Sequence, residues 1–288
     1  MGVEPGLVNE HRRLVEERFP ELEFRSFEPV GGGWDCFTYE VNGAWIFQFP
    51  RMPGAMETTR KQIALLPRLA PELPAAVPVP ELVSEEPLFM GYRKIPGEPL
   101  DVDAGLDGDL PECLGRFVHD LHAVPPEVVG WHPRGAETLR RELRAELQAF
   151  RERVSPLLSS AERGVADAMI SAFVDEDANF RFAPAVAHRD IGPEHVLATP
   201  DGSLAGVVDW GDAEVGDPAL DLWWVAGHPG FGERMLTAYG GAPDATFRTR
   251  AEFYFRLGPW HEVTYGLDTD QPAFVASGLE GVRERLPS

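Results

Sequence analysis

The stretch VAHRDIGPEHVLATPDGSLAGVVDWGD, residues 186–212, carries most of the information about fold and function in this sequence. Two short apolar runs, His195 to Ala198 and Leu204 to Val208, lie on either side of Pro200-Asp201-Gly202-Ser203. Proline, aspartate, glycine and serine favour tight turns, each through its own backbone or hydrogen-bonding preference. The two runs are therefore predicted to pair as a β-hairpin.

The predicted hairpin brings polar residues together at its open end. If its turn is centred on Gly202, His195 lies opposite Asp209. Asp190 precedes His195 on a loop that contains Gly192 and Pro193, so we expect its carboxylate over the same opening. An imidazole nitrogen and a carboxylate can hold Mg²⁺, and a further carboxylate can orient and deprotonate a hydroxyl group. We therefore predict Asp190 as catalytic and His195 and Asp209 as ligands of Mg²⁺.

The composition narrows the class of partner. The chain has 288 residues, with 47 acidic against 26 basic residues and a formal net charge of −21. This length fits one large domain or two lobes. Nucleic-acid binders and polybasic membrane-surface proteins need excess lysine and arginine, so we expect neither nucleic-acid nor membrane binding and favour a cationic partner.

The expected location is the cytoplasm. The sequence contains no apolar stretch of transmembrane length, and its first residues lack the basic and apolar regions of a signal peptide. Two isolated cysteines give neither a disulfide framework nor a structural zinc site. We expect a reduced, monomeric cytoplasmic protein.

The order of predicted elements indicates an α+β protein. Residues 1–95 are β-rich, residues 96–288 are mainly helical, and the boundary falls near Pro96. The strongest hairpin signal is Asn42-Gly43 between two apolar runs. The predicted helices are Pro5 to Phe19, Arg60 to Leu69, Leu110 to Ala123 and Glu137 to Val154, and the predicted strands are Arg25 to Val30, Asp35 to Val41, Ala44 to Phe49 and Leu88 to Ile95.

Several motifs carry a family resemblance. His188-Arg189-Asp190 followed by Asp209-Trp210-Gly211 resembles the HRD and DFG elements of the protein-kinase-like fold. The segments 207–213 and 216–222 are similar to the aminoglycoside phosphotransferase family, and 45–51 and 91–100 look most like its 2″-type members. The resemblance runs from about residue 25 to 285. It implies a two-lobed kinase-like fold, with a nucleotide-binding lobe at 1–95 and a catalytic and substrate-binding lobe at 96–288.

The resemblance also implies an activity and a set of site residues. The activity is transfer of the γ-phosphoryl group of ATP or GTP to a hydroxyl of an aminoglycoside, with Mg²⁺ as cofactor. Residues expected to contact nucleotide are Gly32, Gly33, Gln48, Gln62, Tyr92, Lys94 and Ile95. Residues expected to contact substrate are Asp190, Asp212, Trp260 and Glu262, and those expected to support the catalytic loop are His188, Arg189 and Asp221.

Two departures from the family pattern keep alternatives open. His195 stands where the family usually has Asn, although macrolide phosphotransferases also have His there. Gln48 and Gln62 stand where kinases have a phosphate-binding Lys and its Glu partner, so we expect weaker nucleotide binding, with a Gln–Gln amide pair keeping the geometry. The alternatives are an enzyme for a macrolide or another small metabolite, and a degenerate kinase-like protein that only binds ligands.

Some of these residues also have a purely structural interpretation. Asp217-Pro218 is most simply a helix N-cap followed by the first helical residue. Trp260 and Glu262 fit either core packing with a polar tip or binding of an amino sugar. Asp212 fits either a carboxylate behind the metal ligands or a contact with a cationic substrate.

Overall fold

The computed structural model describes residues 4–31, 35–102, 108–133 and 135–287, and it divides into two compact units. The sheet unit contains the chain up to Cys113 together with Glu127–Gly130 and His188–Ala213, and the helical unit contains Leu114–Pro126, Trp131–Ala187 and the chain from Glu214 onward. The units are therefore discontinuous in sequence, unlike a single cut at residue 95. The functional division into 1–95 and 96–288 stays a prediction.

The main sheet of the sheet unit is antiparallel. Within the described residues it has five strands in the order β1-β2-β3-β5-β4. The hairpin predicted at Asn42-Gly43 is confirmed, since both residues have positive φ, 59° and 68°, as tight hairpin turns require. The strands are β1 Phe27–Pro29, β2 Cys36–Val41, β3 Trp45–Pro50, β4 Pro80–Glu85 and β5 Leu88–Arg93.

Two helices belong to this unit, α1 at Pro5–Arg18 and α2 at Pro53–Leu69. Helix α1 has nearly the predicted bounds and packs Val15 into the aromatic core of the sheet. Helix α2 begins well before the predicted start at Arg60, because Pro53 suits a first helical position, where a backbone N–H would have no partner inside the helix. It also contains Pro67, in its last turn.

A second, three-stranded sheet carries the hairpin predicted from residues 186–212. Strands β6 Glu98–Pro99, β8 Val196–Ala198 and β9 Leu204–Val207 lie in the order β6-β8-β9. The hairpin is confirmed, but its predicted register is wrong. Val196 faces Val207, so His195 is level with Val208, whose N–H donates to the His195 carbonyl at 2.9 Å. The register then shifts between Leu197 and Ala198, and Ala198 faces Leu204.

The proline-rich segment before β4 fixes this hairpin to the rest of the sheet unit. Ala76 forms an isolated parallel bridge with Gly206, and its carbonyl accepts from the N–H of Val207 at 3.0 Å. A Cβ atom at Gly206 would lie 2.4 Å from that carbonyl oxygen, so a glycine is required for the close approach. The hairpin therefore packs directly on a segment more than a hundred residues earlier in the chain.

The helical unit is built mainly from long helices with one small sheet. Its core joins residues of α5, α6, α9 and α10, including Phe150, Ile170, Phe253 and Val263. Strand β7, Ala185–Ala187, pairs with β10, Glu214–Gly216, a pairing that the sequence did not predict. Two helices are divided between the units, α3 Leu110–Ala123 and α4 Pro126–Val129. The other helices of the helical unit are α5 Ala136–Arg153, α6 Ser160–Val174, α7 Trp224–Gly227, α8 Pro229–Tyr239, α9 Phe247–Asp268 and α10 Pro272–Arg285. Short 3₁₀ helices lie at Ala70–Glu72, Ser155–Leu157, Asp177–Phe180 and Pro218–Leu222.

The predicted cap at Asp217-Pro218 is confirmed. The Asp217 carboxylate accepts from the N–H of Ala219 at the start of the 3₁₀ helix Pro218–Leu222. The same carboxylate accepts from Arg250 at 2.7 Å and from the Tyr254 hydroxyl at 2.9 Å. Arg250, itself fully buried, also binds Asp244, so this capping residue belongs to a buried ionic network.

No helix in the described ranges has the length and apolarity needed to cross a membrane. Cys36 and Cys113 are not disulfide-bonded in this structure.

Helix α1 contributes a buried histidine that links stability to pH. The His11 ring stacks on Phe49 with centroids 4.1 Å apart, and its Nδ1 lies 2.8 Å from the Tyr39 hydroxyl. Burial lowers the pKa of His11 below its usual 6.5, although the nearby charge of Glu10 opposes this shift. The unfolded chain therefore binds a proton at His11 more readily than the folded chain. The contribution of His11 to the free energy of unfolding is largest above pH 6.5 and falls as the pH drops below that value.

We expect His11→Phe, which keeps an aromatic ring but cannot titrate, to reduce this pH dependence. The free energy of unfolding should fall less in the variant than in the wild type between about pH 8 and pH 5. Denaturant unfolding of both proteins across that range measures the difference. Parallel pH profiles would contradict the assignment of the effect to His11.

Candidate active site

His188 joins the two segments that carry the predicted catalytic residues. Its Nδ1 accepts a hydrogen bond from the N–H of Asp190 at 3.2 Å, and its Nε2 lies 3.0 Å from the Val208 carbonyl oxygen. Because Nδ1 accepts, the ring proton is on Nε2, which donates to Val208. The side chain is fully buried and packs edge-on against Trp210. His188 thus holds the residue before Asp209 against the loop that contains Asp190, and its supporting role in catalysis stays a prediction.

The backbone at both segments adopts an uncommon conformation. Arg189 has a φ of 73° and Asp209 a φ of 64°, in the left-handed region that residues with a side chain rarely occupy. Each such residue costs on the order of 1–3 kcal/mol, and surrounding contacts must hold it in place. One such contact is the indole N–H of the buried Trp210, which donates to the Val207 carbonyl at 2.9 Å.

Asp190, His195 and Asp209 lie together. The Nδ1 atom of His195 is 2.8 Å from the backbone carbonyl oxygen of Asp190 and 3.4 Å from the side-chain Oδ2 of Asp190. In the neutral ring this nitrogen is the donor, so the lone pair of Nε2 faces Asp209, whose Oδ2 is 3.6 Å away. The sequence therefore predicted the grouping correctly even though its register argument was wrong.

The electrostatic setting of Asp190 suits a group that exchanges a proton. Burial raises the pKa of Asp190 to about 6; the positive charge of His195 opposes this shift, and the carboxylates of Asp212 and Asp209 reinforce it. The side chain is still 53% exposed, so a hydroxyl group can reach it. Burial lowers the pKa of His195, but the neighbouring negative charges, led by Asp190, raise it more, and the net shift is upward.

The residues around Asp209 fit a magnesium ion held mainly by other ligands. Its carboxylate is 57% exposed and faces the free nitrogen of His195 beyond hydrogen-bonding distance. No group of three or more histidine, cysteine or acidic side chains in the described ranges forms a closed metal cage. Mg²⁺ is usually bound by one or two carboxylates together with phosphate oxygens and water. Asp209 meets that requirement, and neutral His195 would add one nitrogen donor. The role of both residues as Mg²⁺ ligands stays a prediction.

Two further acids belong to the same electrostatic cluster. Burial raises the pKa of Asp35, and the charges of Asp212 and Asp209 raise it further. Asp212 is exposed and also raises the pKa of Asp190. The predicted residue Asp212 therefore lies close to Asp190 and Asp35, and its role in binding substrate stays a prediction. Asp35 was not predicted, because nothing in the sequence beyond its position after the glycines distinguishes it from other acids of the chain.

The predicted phosphate-side residues are only partly assembled. Gln48 lies on β3 opposite Met90, and Gln62 is buried on α2 with its Nε2 close to Gly211. Among the described residues no hydrogen bond joins the two amides, so the expected Gln–Gln pair is wrong for this structure. Gly32 and Gly33 lie outside the described residues. Lys61, beside Gln62, was not predicted as a site residue, yet its ammonium donates to the Ala213 carbonyl at 3.0 Å.

The segment predicted to contact the nucleotide base lies at the end of β5. Tyr92 is buried, and burial raises its pKa, with a further contribution from the charge of Asp209. The Lys94 ammonium forms an ion pair with Glu40 at 2.6 Å, so its side chain is engaged with the sheet. Ile95 is buried against Gly206 of the hairpin formed by β8 and β9. A role for these residues in binding nucleotide stays a prediction.

The helical unit carries the other predicted residues. Trp260 is 1% exposed and packs in the helical core against Phe150, so the substrate-stacking role is wrong and the core-packing interpretation is correct. Glu262 is half-buried and accepts from the Ser277 hydroxyl at 2.5 Å. Asp221 is fully buried and lies 3.1 Å from Nε2 of His122. The substrate role of Glu262 and the supporting role of Asp221 stay predictions.

Sequence comparison identifies relatives over most of the chain. Residues 26–253 match the model of the phosphotransferase enzyme family, APH. Viomycin phosphotransferase of Streptomyces vinaceus is 29% identical over 210 residues, which cover 69% of this chain and 71% of that protein. The uncharacterized protein YcbJ of Bacillus subtilis (strain 168) is 25% identical over 266 residues, covering 83% and 82% of the two chains.

Solved structures share the fold. The GDP and kanamycin complex of APH(2″)-IIIa superposes with a TM-score of 0.85 at 24% identity, covering 96% of this chain and 98% of that one. The macrolide 2′-phosphotransferase MphH from Brachybacterium faecium gives a TM-score of 0.73 at 24% identity, with coverage of 96% and 98%. The predicted two-lobed, kinase-like α+β fold is thereby confirmed. Together with the family match over residues 26–253, these findings show that the chain belongs to the APH family of phosphotransferase enzymes.

Proposed function

We propose that this phosphotransferase transfers the γ-phosphoryl group of ATP or GTP to a hydroxyl of an aminoglycoside. The observation that carries the proposal is the arrangement of Asp190 and Asp209 on either side of His195, at 3.4 and 3.6 Å from its two ring nitrogens. Phosphoryl transfer requires a group that orients and deprotonates the nucleophile and a second group that holds Mg²⁺. The two exposed carboxylates meet these requirements.

Each residue has a distinct role in the proposed reaction. Asp190 accepts the proton of the attacking hydroxyl at its carboxylate, for which a pKa of about 6 is suitable near neutral pH. Asp209 and His195 would hold Mg²⁺, which when bound offsets the negative charge of the phosphates. His188 keeps the two segments in register through its hydrogen bonds to Asp190 and Val208. Gly32, Gly33, Gln48 and Gln62 would lie on the phosphate side, and Tyr92 to Ile95 beside the base.

The proposed acceptor is cationic because the chain is strongly acidic. A net charge of −21 attracts polycations, and the exposed Asp212 adds a carboxylate near the catalytic base. Glu262 would give a further acidic contact. A second candidate acceptor is viomycin, favoured by the 29% identity to a viomycin phosphotransferase. A macrolide is the third, favoured by His195 and by a macrolide phosphotransferase among the structures with the same fold.

The proposed activity is tested by nucleotide consumption. Purified protein with Mg²⁺ and either ATP or GTP is assayed against aminoglycosides, viomycin and macrolides. We expect consumption that depends on an aminoglycoside, with mass spectrometry showing one added phosphoryl group on the acceptor. If nucleotide consumption depends only on viomycin or only on a macrolide, that compound is the acceptor and the aminoglycoside assignment is wrong. Nucleotide binding without turnover on any acceptor would favour the ligand-binding alternative.

We expect Asp190→Asn to lower kcat by about 100-fold to 10,000-fold, because the amide cannot accept the hydroxyl proton. The acceptor KM and the melting temperature should change little, since the side chain is 53% exposed and asparagine has the same shape. Asp120→Asn, which removes a half-exposed carboxylate from helix α3, is the matched control and should behave as the wild type. A fully active Asp190→Asn enzyme would refute the assignment of the base.

We also expect the double variant Gln48→Lys/Gln62→Glu to bind nucleotide more tightly than the wild type. The new ammonium adds a charge beside the phosphates, and the new carboxylate on α2 orients it. Titration calorimetry with ADP and GDP, alongside the two single variants, measures the gain. An unchanged affinity in the double variant would show that these positions do not face the phosphates.

A further inference from the structure

Lys61 connects helix α2 to the segment that carries Asp209. Its ammonium donates to the carbonyl oxygen of Ala213 at 3.0 Å, across 152 residues of sequence. Ala213 ends the run Asp209-Trp210-Gly211-Asp212-Ala213, which we call the metal segment. The Lys61 side chain also lines a cavity of about 430 Å³ together with Asp35 and Glu57. A cation of α2 is therefore bound to the backbone four residues after Asp209.

The same face of α2 packs against the middle of the metal segment. A Cβ atom at Gly211 would lie 3.9 Å from both Gln62 Nε2 and Thr58 Cβ, and 3.6 Å from the Asp209 carboxylate. Thr58, Lys61 and Gln62 fall within little more than one helical turn, so they form a continuous strip facing the segment. Of the contacts from this strip, the Lys61 hydrogen bond is the one that acts by charge and direction.

The metal segment needs such support. Asp209 has a φ of 64°, which an aspartate does not keep without contacts that favour it. Before Asp209 the chain is held by the hydrogen bond from His188 to Val208, and Trp210 is anchored by its indole. After Trp210 the chain turns through the exposed Asp212 to Ala213, whose N–H donates to the Trp210 carbonyl at 3.3 Å and whose own carbonyl accepts from Lys61.

Two other cations of the sheet unit make side-chain contacts outside the metal segment. The Lys94 ammonium binds Glu40 on the sheet at 2.6 Å. The Arg51 guanidinium lies over the Phe37 ring, 4.1 Å from its centroid. Neither of these contacts involves the metal segment, whereas the contact of Lys61 does.

We propose that Lys61 is a positioning residue that fixes the metal segment, and through it the carboxylate of Asp209, for the cation bound with the nucleotide. The proposal rests on the proposed function, because it assigns Asp209 to that cation. The charge of Lys61 then acts on the protein segment that would hold the metal, and not on the phosphates.

The experiment compares Lys61→Met, Lys61→Arg and Arg60→Met with the wild type. Arg60 is the preceding, exposed residue of the same helix, so Arg60→Met removes an equal charge without touching the metal segment. Hydrogen exchange of the nucleotide-free proteins is measured over peptides that span residues 209–216. We expect faster exchange in Lys61→Met alone, with arginine restoring protection because it can also donate to a carbonyl oxygen.

The second readout is the Mg²⁺ dependence of ADP and GDP binding, which is measured by calorimetry in the absence of any acceptor. Loss of a group that orients a metal ligand typically weakens metal affinity by about 10- to 100-fold. We expect a shift of that size in Lys61→Met, a wild-type response in Arg60→Met and rescue in Lys61→Arg. Melting temperatures of all variants check that each is folded.

The outcomes separate the proposal from the function on which it rests. Unchanged exchange in Lys61→Met, or faster exchange without a shift in Mg²⁺ dependence, overturns the role of Lys61. Equal effects of Lys61→Met and Arg60→Met also overturn it, because a general loss of charge then explains both. A wild-type protein that binds no nucleotide refutes the proposed function, and the exchange result alone then decides whether Lys61 holds the segment.

Discussion

The candidate site depends on the two hydrogen bonds of the buried His188 ring. One nitrogen accepts from the backbone of Asp190 and the other donates to the carbonyl of Val208, so one side chain sets the distance between the two acidic segments. Both bonds are made inside the protein by a fully buried ring, where leaving a polar group unpaired is costly. The backbone strain at Arg189 and Asp209 is tolerable because these contacts hold the chain on both sides.

Several features of the fold follow directly from local sequence. The Asn42-Gly43 turn is predicted because both residues tolerate positive φ, and the Asp217-Pro218 cap is predicted because its chemistry is local. The grouping of Asp190, His195 and Asp209 is also predicted, since a hairpin of any nearby register brings them to one end. These predictions need no knowledge of the neighbouring elements.

Other features depend on tertiary contacts that the sequence does not display. The register argument placed the turn symmetrically about Gly202, whereas Thr199 and Ser203 pair through side-chain and backbone hydrogen bonds and the register shifts beside Ala198. Trp260 next to Glu262 looks like a sugar-binding pair, but the helix turns its ring into the core. Nothing in the sequence links Lys61 to Ala213, and only the structure shows that the two residues meet.

Because Ala76 pairs with Gly206, the sheet unit can be completed only after residue 206 has been added to the growing chain. Residues 188–213 contribute two of the three strands in the sheet that carries the acids, and they follow a long stretch of the helical unit in sequence. An emerging polypeptide can form the first hairpins early, but the site requires contacts of high sequence separation, which form slowly. The surface of the Ala76 segment that later binds the hairpin stays uncovered until then. During synthesis, the candidate site can therefore form only after residues 188–213 have been added to the chain.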